Sequence, residues 1–592
     1  MDRRVALSPK AQRIVETLKT GVGHHQRGEF AAAEALYKKV RAADPRNFVA
    51  LQLSGALAAQ VGNFDLALNF LSRALSLKPN YVDALNNRGN VYNELGRLDE
   101  ALADYDAVLA LTSDNAHAFN NRGTILEKLR RFDEALADYD RALALMPGFA
   151  YALNNRGNVL RELDRPDEAL AAFSKATELQ PDYAEAFNNR GNALKDLDRL
   201  DEALEAYTRA ITLRPDFTSA YNNRGNVHEK RARIDDALRD YDKALSTKGD
   251  SASAFYNRGR VLEQFHDFDG AVAQYDKAIS LDRNYVLPHW NKSLVLLRQG
   301  NFTSGWKLYE WRWKRDKERA FSEPLWLGRQ DLRGKTILLH AEQGLGDTIQ
   351  FCRYAARVQA LGSRVVLEVQ RPLHNLLRQV EGVDDLVAHG ATLPRFDFHC
   401  PLMSLPLALG TTLDTIPGSG PYLNSEQADI RTWAQRLGPK SGPRIGIAWS
   451  GNRAHTNDHN RSIPLERLLA AIPENYQIFS LQKDVRDSDL DSLQERARIT
   501  HFGEDLADFT DTAAICDAMD IVLSVDTSVA HLAGALGKQT CVILPYLSDF
   551  RWLLDREDSP WYAGMRLFRQ GAERDWTPVL ASVRDSLGAR PS

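Results

Sequence analysis

Four side chains that could bind a phosphate group lie within six positions of one another: Asp526, Thr527, Ser528 and His531, in the segment SVDTSVAHLAGALGK. The apolar run before Asp526 predicts a strand, and the residues after Thr527 predict a helix. A helix start presents free N–H groups and a positive dipole end, which together bind anions. The hydroxyl pair and the histidine suit a diphosphate. Because a bare carboxylate repels phosphate, we expect Asp526 to cap the helix or to hold a ribose or phosphate network indirectly.

A second segment, QGLGDTIQF (343–351), places Asp347 between a tight glycine turn and the start of a helix. A carboxylate in such a place can act as a general base toward an acceptor hydroxyl. It can equally serve only as a helix cap. The sequence leaves both roles of Asp347 open.

A third polar loop, WSGNRAHTNDHNRSIPLERL (449–468), supplies Arg461 as a cation for phosphate. Trp449 and Asn452 in this loop, and Glu342 outside it, are candidate contacts for a sugar or an acceptor. The same loop holds three residues that can ligate metals, but their flexible spacing lacks a further ligand, so no metal site is expected: His455, Asp458 and His459.

Short apolar runs alternate with helical segments from Lys335 onward. The predicted strands are KTILLHAE, RVVLEV, RIGIAWS, QIFSLQ, DIVLSVD and QTCVILP, and TIQFCRYAARVQAL and RPLHNLLRQV are predicted helices. This alternation predicts parallel sheets in two Rossmann-like α/β units, at 335–425 and 440–592. Ligands in such folds bind beyond the carboxyl ends of strands. We therefore expect the three polar loops to lie at the carboxyl ends of strands, where such folds bind their ligands.

The first half of the chain repeats with a period of 34 residues. ALNNRGN begins at residue 84 and returns as AFNNRGT, ALNNRGN, AFNNRGN, AYNNRGN and AFYNRGR, and DEALADYD-like segments keep the same phase. The pattern resembles the tetratricopeptide repeat (TPR), which is a pair of helices per unit, and it predicts an α-solenoid of about nine units over 1–317. The aromatic stretch Trp306, Tyr309, Trp311 and Trp313 predicts a last repeat that docks, through a segment at 318–334, onto the next domain.

Asparagine recurs on one face of the first helix of each repeat. An amide both donates and accepts, so it can pair with a peptide unit whatever residue that unit carries. We predict that these residues line a groove for an acceptor polypeptide, and the alternative is that they cap helices, bridge repeats or are merely solvated. The candidates are Asn86, Asn120, Asn154, Asn188 and Asn222, and one helical turn later Asn90, Asn158, Asn192 and Asn226. A further series, including Asn121, Asn155, Asn189 and Asn223, is expected to face a neighbouring helix, and the arginine at the next position is expected to pair with an acidic residue.

Composition narrows the class of protein. The 75 Lys and Arg nearly balance the 79 Asp and Glu, so the net charge of -4 offers no field for nucleic acid or an anionic membrane. The four cysteines lack CxxC spacing and lie mostly in apolar stretches, which fits a reducing compartment. No segment has the apolar length of a signal peptide or a membrane span. We expect a soluble cytoplasmic protein.

The second half resembles two-Rossmann-domain (GT-B) glycosyltransferases, most closely the heptosyltransferase-like group and the bacterial proteins that append such a domain to TPRs. The motifs that carry the resemblance are GLGD, DxxNRSIPL and DTSVAHLAGALG. It implies that Asp347 is the base, and that Arg461, Asp526, Thr527, Ser528 and His531 bind the nucleotide part of a nucleotide-sugar. The first α/β unit spans only about 90 residues, so a pocket for a lipid-linked acceptor is in doubt.

We therefore expect an inverting, metal-independent transfer of a sugar to Ser or Thr of a protein held by the repeats. The nucleotide-sugar is a co-substrate, no other cofactor is expected, and flagellin is a candidate acceptor only through the resemblance to bacterial TPR glycosyltransferases. Two alternatives stay open: an enzyme with a saccharide or lipid acceptor, and a TPR scaffold whose second half has lost activity.

Overall fold

The structure is a computed structural model that describes residues 8–247, 250–315, 319–418, 420–453, 457–495 and 498–588. The chain divides into two compact units, of which the second begins at Asp250. None of the helices in the described ranges has both the length and the apolar character needed to cross a bilayer.

The first unit consists of helices that alternate with short turns. Within its described residues these are α1 (Pro9–Gln26), α2 (Phe30–Ala43), α3 (Phe48–Gln60), α4 (Phe64–Leu77), α5 (Val82–Glu94), α6 (Leu98–Leu111), α7 (Ala116–Lys128), α8 (Phe132–Leu145), α9 (Ala150–Glu162), α10 (Pro166–Leu179), α11 (Ala184–Asp196), α12 (Leu200–Leu213), α13 (Thr218–Lys230) and α14 (Ile234–Thr247). Local sequence sets their limits. Asn115, for example, accepts a hydrogen bond from the Ala118 N–H and so caps the start of α7.

Within a pair, the two helices approach closely where the first carries glycine. A Cβ atom at Gly157 would lie 2.6 Å from the Phe173 ring, which is fully buried. The arginine beside this glycine position forms structural ion pairs, as predicted: Arg122 donates to Asp138 at 2.7 Å from both Nε and Nη2. Small residues and paired charges thus hold the two helices together.

The second unit begins with two further helix pairs and then changes to α/β structure. Its first helices are α15 (Ala252–Gln264), α16 (Phe268–Leu281), α17 (Val286–Arg298), α18 (Phe302–Tyr309) and α19 (Arg312–Arg315). Trp306 and Tyr309 are 1% exposed and belong to one hydrophobic core with Ile337 and Phe351. The aromatic end of the repeats therefore packs on the α/β structure that follows it.

A four-stranded parallel sheet comes first, in the order β3-β2-β1-β4. Its elements are β1 (Thr336–His340), α20 (Leu345–Phe351), α21 (Ala355–Gln359), β2 (Arg364–Val369), β3 (Asp385–Ala388), β4 (Phe398–Pro401) and α22 (Leu405–Ala408). The long helix expected after β1 is broken by a 3-10 turn at Cys352–Tyr354. The helix expected after β2 is replaced by 3-10 turns, because Pro372 fits only the first turn of a helix and the segment is short.

A six-stranded parallel sheet follows, in the order β10-β9-β8-β5-β6-β7. Its elements are α23 (Gln427–Arg436), β5 (Arg444–Ala448), α24 (Asp458–Arg461), α25 (Leu465–Ala470), β6 (Gln477–Ser480), α26 (Asp487–Glu495), β7 (Ile499–Thr500), α27 (Phe509–Asp517), β8 (Ile521–Val525), α28 (Ser528–Ala535), β9 (Thr540–Leu544), β10 (Met565–Arg569) and α29 (Thr577–Gly588). The strands β5, β8 and β9 are buried along their whole length, as parallel strands covered on both faces must be. The parallel α/β architecture expected from the sequence is present in both sheets.

Candidate functional site

Loops that follow strands of both sheets line a cavity of about 1270 Å³. The loop after β1 contributes Gln343 to Asp347, and the segments after β2, β5, β6, β7, β8 and β9 contribute the other walls. Most of the sequence-predicted residues line it, namely Asp347, Asn452, Arg461, Asp526, Thr527, Ser528 and His531. The parallel topology explains the meeting, because the carboxyl ends of parallel strands share an edge of their sheet.

Asp347 lies in the first turn of α20, and its carboxylate is about one-fifth exposed. One carboxylate oxygen accepts a hydrogen bond of 2.8 Å from the Gly344 N–H, and the other is ion-paired with Arg551. Asp347 is therefore a helix cap and a cavity carboxylate at once.

Arg551 is the central cation of the cavity, and sequence reasoning did not single it out. Besides its ion pair with Asp347, its Nε donates to Gln350 Oε1 at 2.8 Å and its Nη1 donates to Asp549 Oδ1 at 2.7 Å. The residue is only 7% exposed. The one sequence signal was its place among the Trp, Tyr and Arg residues that follow the strand QTCVILP. The guanidinium joins the loop after β9 to helix α20.

The helix α28 starts at the cavity with Thr527 as its cap. Thr527 Oγ1 accepts a hydrogen bond of 3.3 Å from the Val529 N–H, and the Ser528 side chain lines the cavity. The Val529 N–H is thus taken up by this cap, and the Ala530 N–H donates to the Thr527 carbonyl at 3.1 Å, so the positive end of the helix dipole is what favours an anion here. The helix starts at the carboxyl end of β8, as the sequence predicted, and anion binding there stays a prediction.

Arg461 stands beside that helix start. Its Nη1 donates to the Asp526 carbonyl at 3.0 Å, and its Nε lies 3.6 Å from the Asp458 carboxylate. Gly451 makes room for it, because a Cβ atom there would lie 2.5 Å from Arg461 Nη2. Contacts to the backbone carbonyl and to Asp458 hold the guanidinium against the cavity wall.

His531 is uncharged at neutral pH. Burial, followed by the charge of the nearby Arg551 guanidinium, lowers the pKa of its imidazole to about 3. Its Nδ1 is 2.9 Å from the Tyr562 hydroxyl. A neutral imidazole can donate from one nitrogen only. His531 can therefore offer a phosphate a single neutral hydrogen bond.

The pKa of Asp526 is shifted upward, in the opposite direction to that of His531. Burial, followed by the negative charge of Asp549, raises the pKa of the Asp526 carboxyl to about 6. At Asp549 burial acts to raise the pKa, but the Arg551 charge and the hydrogen bonds from Arg551 together keep the pKa of that carboxyl below its usual value. A phosphate near Asp526 would therefore meet a carboxylate that ionises only above about pH 6.

Two predicted contacts lie elsewhere. Trp449 is fully buried, its indole N–H donates to Asp489 at 2.9 Å, and it does not line the cavity. Glu342 receives Arg312 Nε at 2.9 Å and Nη2 at 3.0 Å, so its charge joins the end of the repeats to the first sheet. Both are packing residues, because their polar atoms already have partners. Asn452 lies exposed at the cavity edge.

The loop considered for metal ligands contains an ion-pair network. Asp458 accepts a hydrogen bond of 3.0 Å from the Ser462 hydroxyl and is paired with Arg486. His455 lies outside the described residues. Within the described ranges, no group of three or more His, Cys, Asp or Glu side chains could hold a metal ion.

The asparagines of the first unit bond mainly within the array. The Nδ2 atoms of Asn155, Asn189 and Asn223 donate to the Oδ1 atoms of Asn120, Asn154 and Asn188 at 3.0–3.1 Å. Bridging between repeats, the alternative to peptide binding, thus occupies these carbonyl oxygens. Asn222 is buried in the same way. Asn86 and Asn158 are partly buried.

The series one helical turn later keeps donors available. Tyrosine hydroxyls donate to the Oδ1 atoms of Asn90, Asn192 and Asn226 at 2.6–2.8 Å. This fixes each amide with its oxygen toward the array, so that the NH₂ group is the part that can meet a peptide carbonyl.

Comparisons with known proteins match the repeats. Models of the tetratricopeptide repeat match residues 116–149, 184–217 and 222–286, and a TPR repeat model matches 55–96, 89–129 and 157–198. Protein FlbA of Caulobacter vibrioides is 27% identical over 325 residues, which are 50% of this chain and 54% of FlbA. The chain thus spans about half the length of this curated relative.

Solved repeat structures also match part of the chain. A tetratricopeptide repeat protein from Parabacteroides merdae is 20% identical, covering 42% of this chain and 99% of its own, with a TM-score of 0.36. YrrB, described as a TPR protein with an unusual peptide-binding site, is 27% identical over 31% of this chain and 95% of its own, with a TM-score of 0.27. With the matched repeat models and the helix pairs in register, the chain between residues 55 and 286 is an array of tetratricopeptide repeats, a protein-interaction scaffold.

Proposed function

We propose that this protein is a glycosyltransferase that moves a sugar from a nucleotide-sugar to Ser or Thr of a protein held by the repeats. The observation that carries the proposal is one cavity in which the anion-binding start of α28 and Arg461 share the walls with the Asp347 carboxylate. Such an arrangement offers a place for a leaving diphosphate and a base for the attacking hydroxyl, which are the two requirements of sugar transfer.

In the proposed reaction the acceptor oxygen forms a bond to the anomeric carbon of the sugar while the bond from that carbon to the diphosphate oxygen breaks. Asp347 takes the proton of the acceptor hydroxyl. The electron pair of the broken bond leaves with the nucleoside diphosphate, whose charge is stabilised by Arg461 and the positive dipole end of α28. A single displacement of this kind inverts the anomeric centre, and the protein cations supply the charge that a metal ion would otherwise bring.

Arg551 modifies the role of Asp347 in this scheme. Its ion pair engages one Asp347 oxygen, so the guanidinium competes with an acceptor hydroxyl for the carboxylate. The second candidate, a TPR scaffold with an inactive second half, is favoured by this same pairing. Activity of Asp347 variants separates the two candidates.

For the acceptor, the repeats favour a polypeptide. The NH₂ groups of Asn90, Asn192 and Asn226 suit backbone carbonyls, whereas the Asn120, Asn154 and Asn188 amides serve the stacking of repeats. Flagellin remains one candidate among protein acceptors. The alternative of a saccharide or lipid acceptor is separated from it by the mass of the glycosylated product.

The first test is titration calorimetry with UDP, GDP, ADP and CMP. Arg461→Met should weaken the best-binding nucleoside diphosphate about tenfold or more, since a hydrogen bond to a charged group contributes about 1.5–3 kcal/mol. Arg453→Met is the matched control, because Arg453 lines the cavity too but is 60% exposed at its side chain. Absence of binding by all four nucleotides, or equal losses in both variants, would remove the phosphate site.

The second test is Asp347→Asn, which keeps an oxygen to accept the Gly344 N–H and removes the base. Sugar transfer should fall by about 10²–10⁴, while nucleotide affinity stays within a few-fold. Transfer at the wild-type rate would show that Asp347 is only a helix cap.

A further inference from the structure

The loop that carries Arg551 into the cavity also contacts the repeats of the second unit. This cavity loop, residues 545–555, follows β9 and contains Asp549 and Arg551. Arg551 reaches Asp347 and Gln350 on α20, so the place of the loop decides where the guanidinium stands. Two non-glycine residues near its end, Leu553 (φ 54°) and Asp555 (φ 49°), have left-handed backbone conformations. Such backbone is costly and persists only where surrounding contacts hold it.

The holding contacts come from the last two helix pairs. The His266 imidazole, in the turn between α15 and α16, stacks on the Tyr546 ring with centroids 3.7 Å apart and planes 1° from parallel. Its Nε2 is 3.0 Å from the Tyr546 carbonyl oxygen. At the end of α17, Arg298 Nε donates to the Ser548 carbonyl at 3.1 Å. The repeats therefore contact the backbone of the cavity loop at two residues, Tyr546 and Ser548, which precede Asp549 and Arg551.

A third contact is aromatic. The Phe550 ring, between Asp549 and Arg551, lies 5.6 Å from the Trp306 ring and 5.8 Å from the Tyr309 ring, both on α18. These separations are typical of edge-to-face pairs. Ser548, Phe550 and Arg551 are thus each bonded or packed to a repeat helix or to α20, and Asp549 is held by its ion pair with Arg551.

His266 occupies a position where a histidine has no local advantage. Every equivalent turn has positive φ: four carry Gly28, Gly62, Gly96 and Gly300, four carry Arg130, Asp164, Asp198 and Ala232, and His266 has a φ of 60°. Glycine adopts this conformation without steric cost, whereas other residues do not. What the histidine provides in return is its contact with Tyr546.

We propose that the last two repeats are a positioning element of the cavity, and that His266 and Arg298 are positioning residues that set the place of Arg551 through the cavity loop. Neither residue touches the cavity itself. The consequence for turnover rests on the proposed function, whereas the consequence for the loop does not.

Hydrogen–deuterium exchange on the full chain tests the loop directly. His266→Gly keeps the left-handed turn and removes the imidazole, and Arg298→Lys keeps a cation beside Glu263 while removing the Nε donor to Ser548. Amides of residues 545–555 should exchange about tenfold faster in either variant than in the wild type. The matched control is Ala232→Gly, at the equivalent turn of another repeat (φ 56°), which should leave exchange in this loop unchanged. Unchanged loop exchange in both His266→Gly and Arg298→Lys would overturn the proposal.

Turnover of a nucleotide-sugar gives the second readout. His266→Gly should lower kcat about tenfold with little change in the KM for the donor, because the phosphate contacts of Arg461 and α28 are not altered. If wild-type protein turns over no nucleotide-sugar, the proposed function fails while the exchange result still decides the positioning role. A turnover equal to that of Ala232→Gly, together with a faster-exchanging loop, would show that the repeats hold the loop without positioning the site, and would overturn the proposal in that form.

Discussion

The ion pair between Arg551 and Asp347 should couple the two α/β sheets energetically. Arg551→Gln removes this cation from Asp347, which is 19% exposed, and from Asp549, which is 36% exposed. Breaking a buried pair costs about 3–5 kcal/mol, and solvent at these two carboxylates places the expected cost at the low end of that range. Asp347→Asn costs less, because Arg551 keeps Asp549 and Gln350 as partners. The Arg551 and Asp347 side chains are 8% and 19% exposed, so solvent screens their interaction only in part.

A double-mutant cycle isolates the pair. With Arg551→Gln, Asp347→Asn and the double variant, we expect a coupling free energy of about 1.5–3 kcal/mol, the range for a hydrogen bond to a charged group, or about 10- to 150-fold in the unfolding equilibrium. The contacts to Asp549 and Gln350 cancel, because they are lost in both variants that lack Arg551.

Urea unfolding followed by tryptophan fluorescence is the assay. All ten tryptophans lie at residue 290 or later, so the signal reports on the second unit alone. The denaturant slopes of the four proteins must agree for the cycle to be read as stability. A coupling below about 0.5 kcal/mol, the size found for exposed surface pairs, would refute the view that this pair joins the sheets.

Three further outcomes are expected. Ala232→Gly should raise the free energy of unfolding of the first unit, measured by circular dichroism, by about 0.5–1 kcal/mol. A left-handed backbone costs a non-glycine residue about 1–2 kcal/mol, and the greater entropy that glycine loses on folding offsets part of that gain. A loss of stability would contradict this. Gly157→Ala should destabilise the same unit by about 1–3 kcal/mol through overpacking against Phe173, whereas Gly148→Ala, with open space around it, should be nearly neutral; equal effects would show that the close approach is unimportant. Asp526→Asn should bind a nucleoside diphosphate about fivefold more tightly than wild type at pH 7.5, because it removes roughly 1 kcal/mol of repulsion between two charges about 4 Å apart. The gain should vanish at pH 5, because the wild-type Asp526 carboxyl, with a pKa of about 6, is already neutral there. A gain that persists at pH 5 would rule out this cause.

Local pattern determined the repeats. The 34-residue period predicted helix pairs because each helix is set by neighbours three or four residues away. The arginine–aspartate pairs join residues 16 positions apart, on the two helices of a pair, and therefore follow from the packing of those helices. The asparagines were harder to interpret. The partner of Asn120 is Asn155 in the next repeat, and only the stacking of repeats decides whether an amide faces a neighbour or a groove.

At the cavity, the sequence by itself determined the loops and much of their content. Glycine turns and hydroxyls after buried strands predicted Asp347, Arg461 and Thr527 at one edge, because parallel strands present their carboxyl ends together. It could not tell that Trp449 points into the core, since a residue at a strand end can face either side.

Only the tertiary structure decided which charges meet. Arg551 is 204 residues from Asp347 in the chain, and nothing local to either residue specifies the other. Their meeting depends on how two separately formed sheets and the last repeats pack around the cavity loop. Long-range packing of this kind also makes Asp526 hold its proton to about pH 6 and leaves His531 neutral, because burial and neighbouring charges, rather than residue type, set those pKa values.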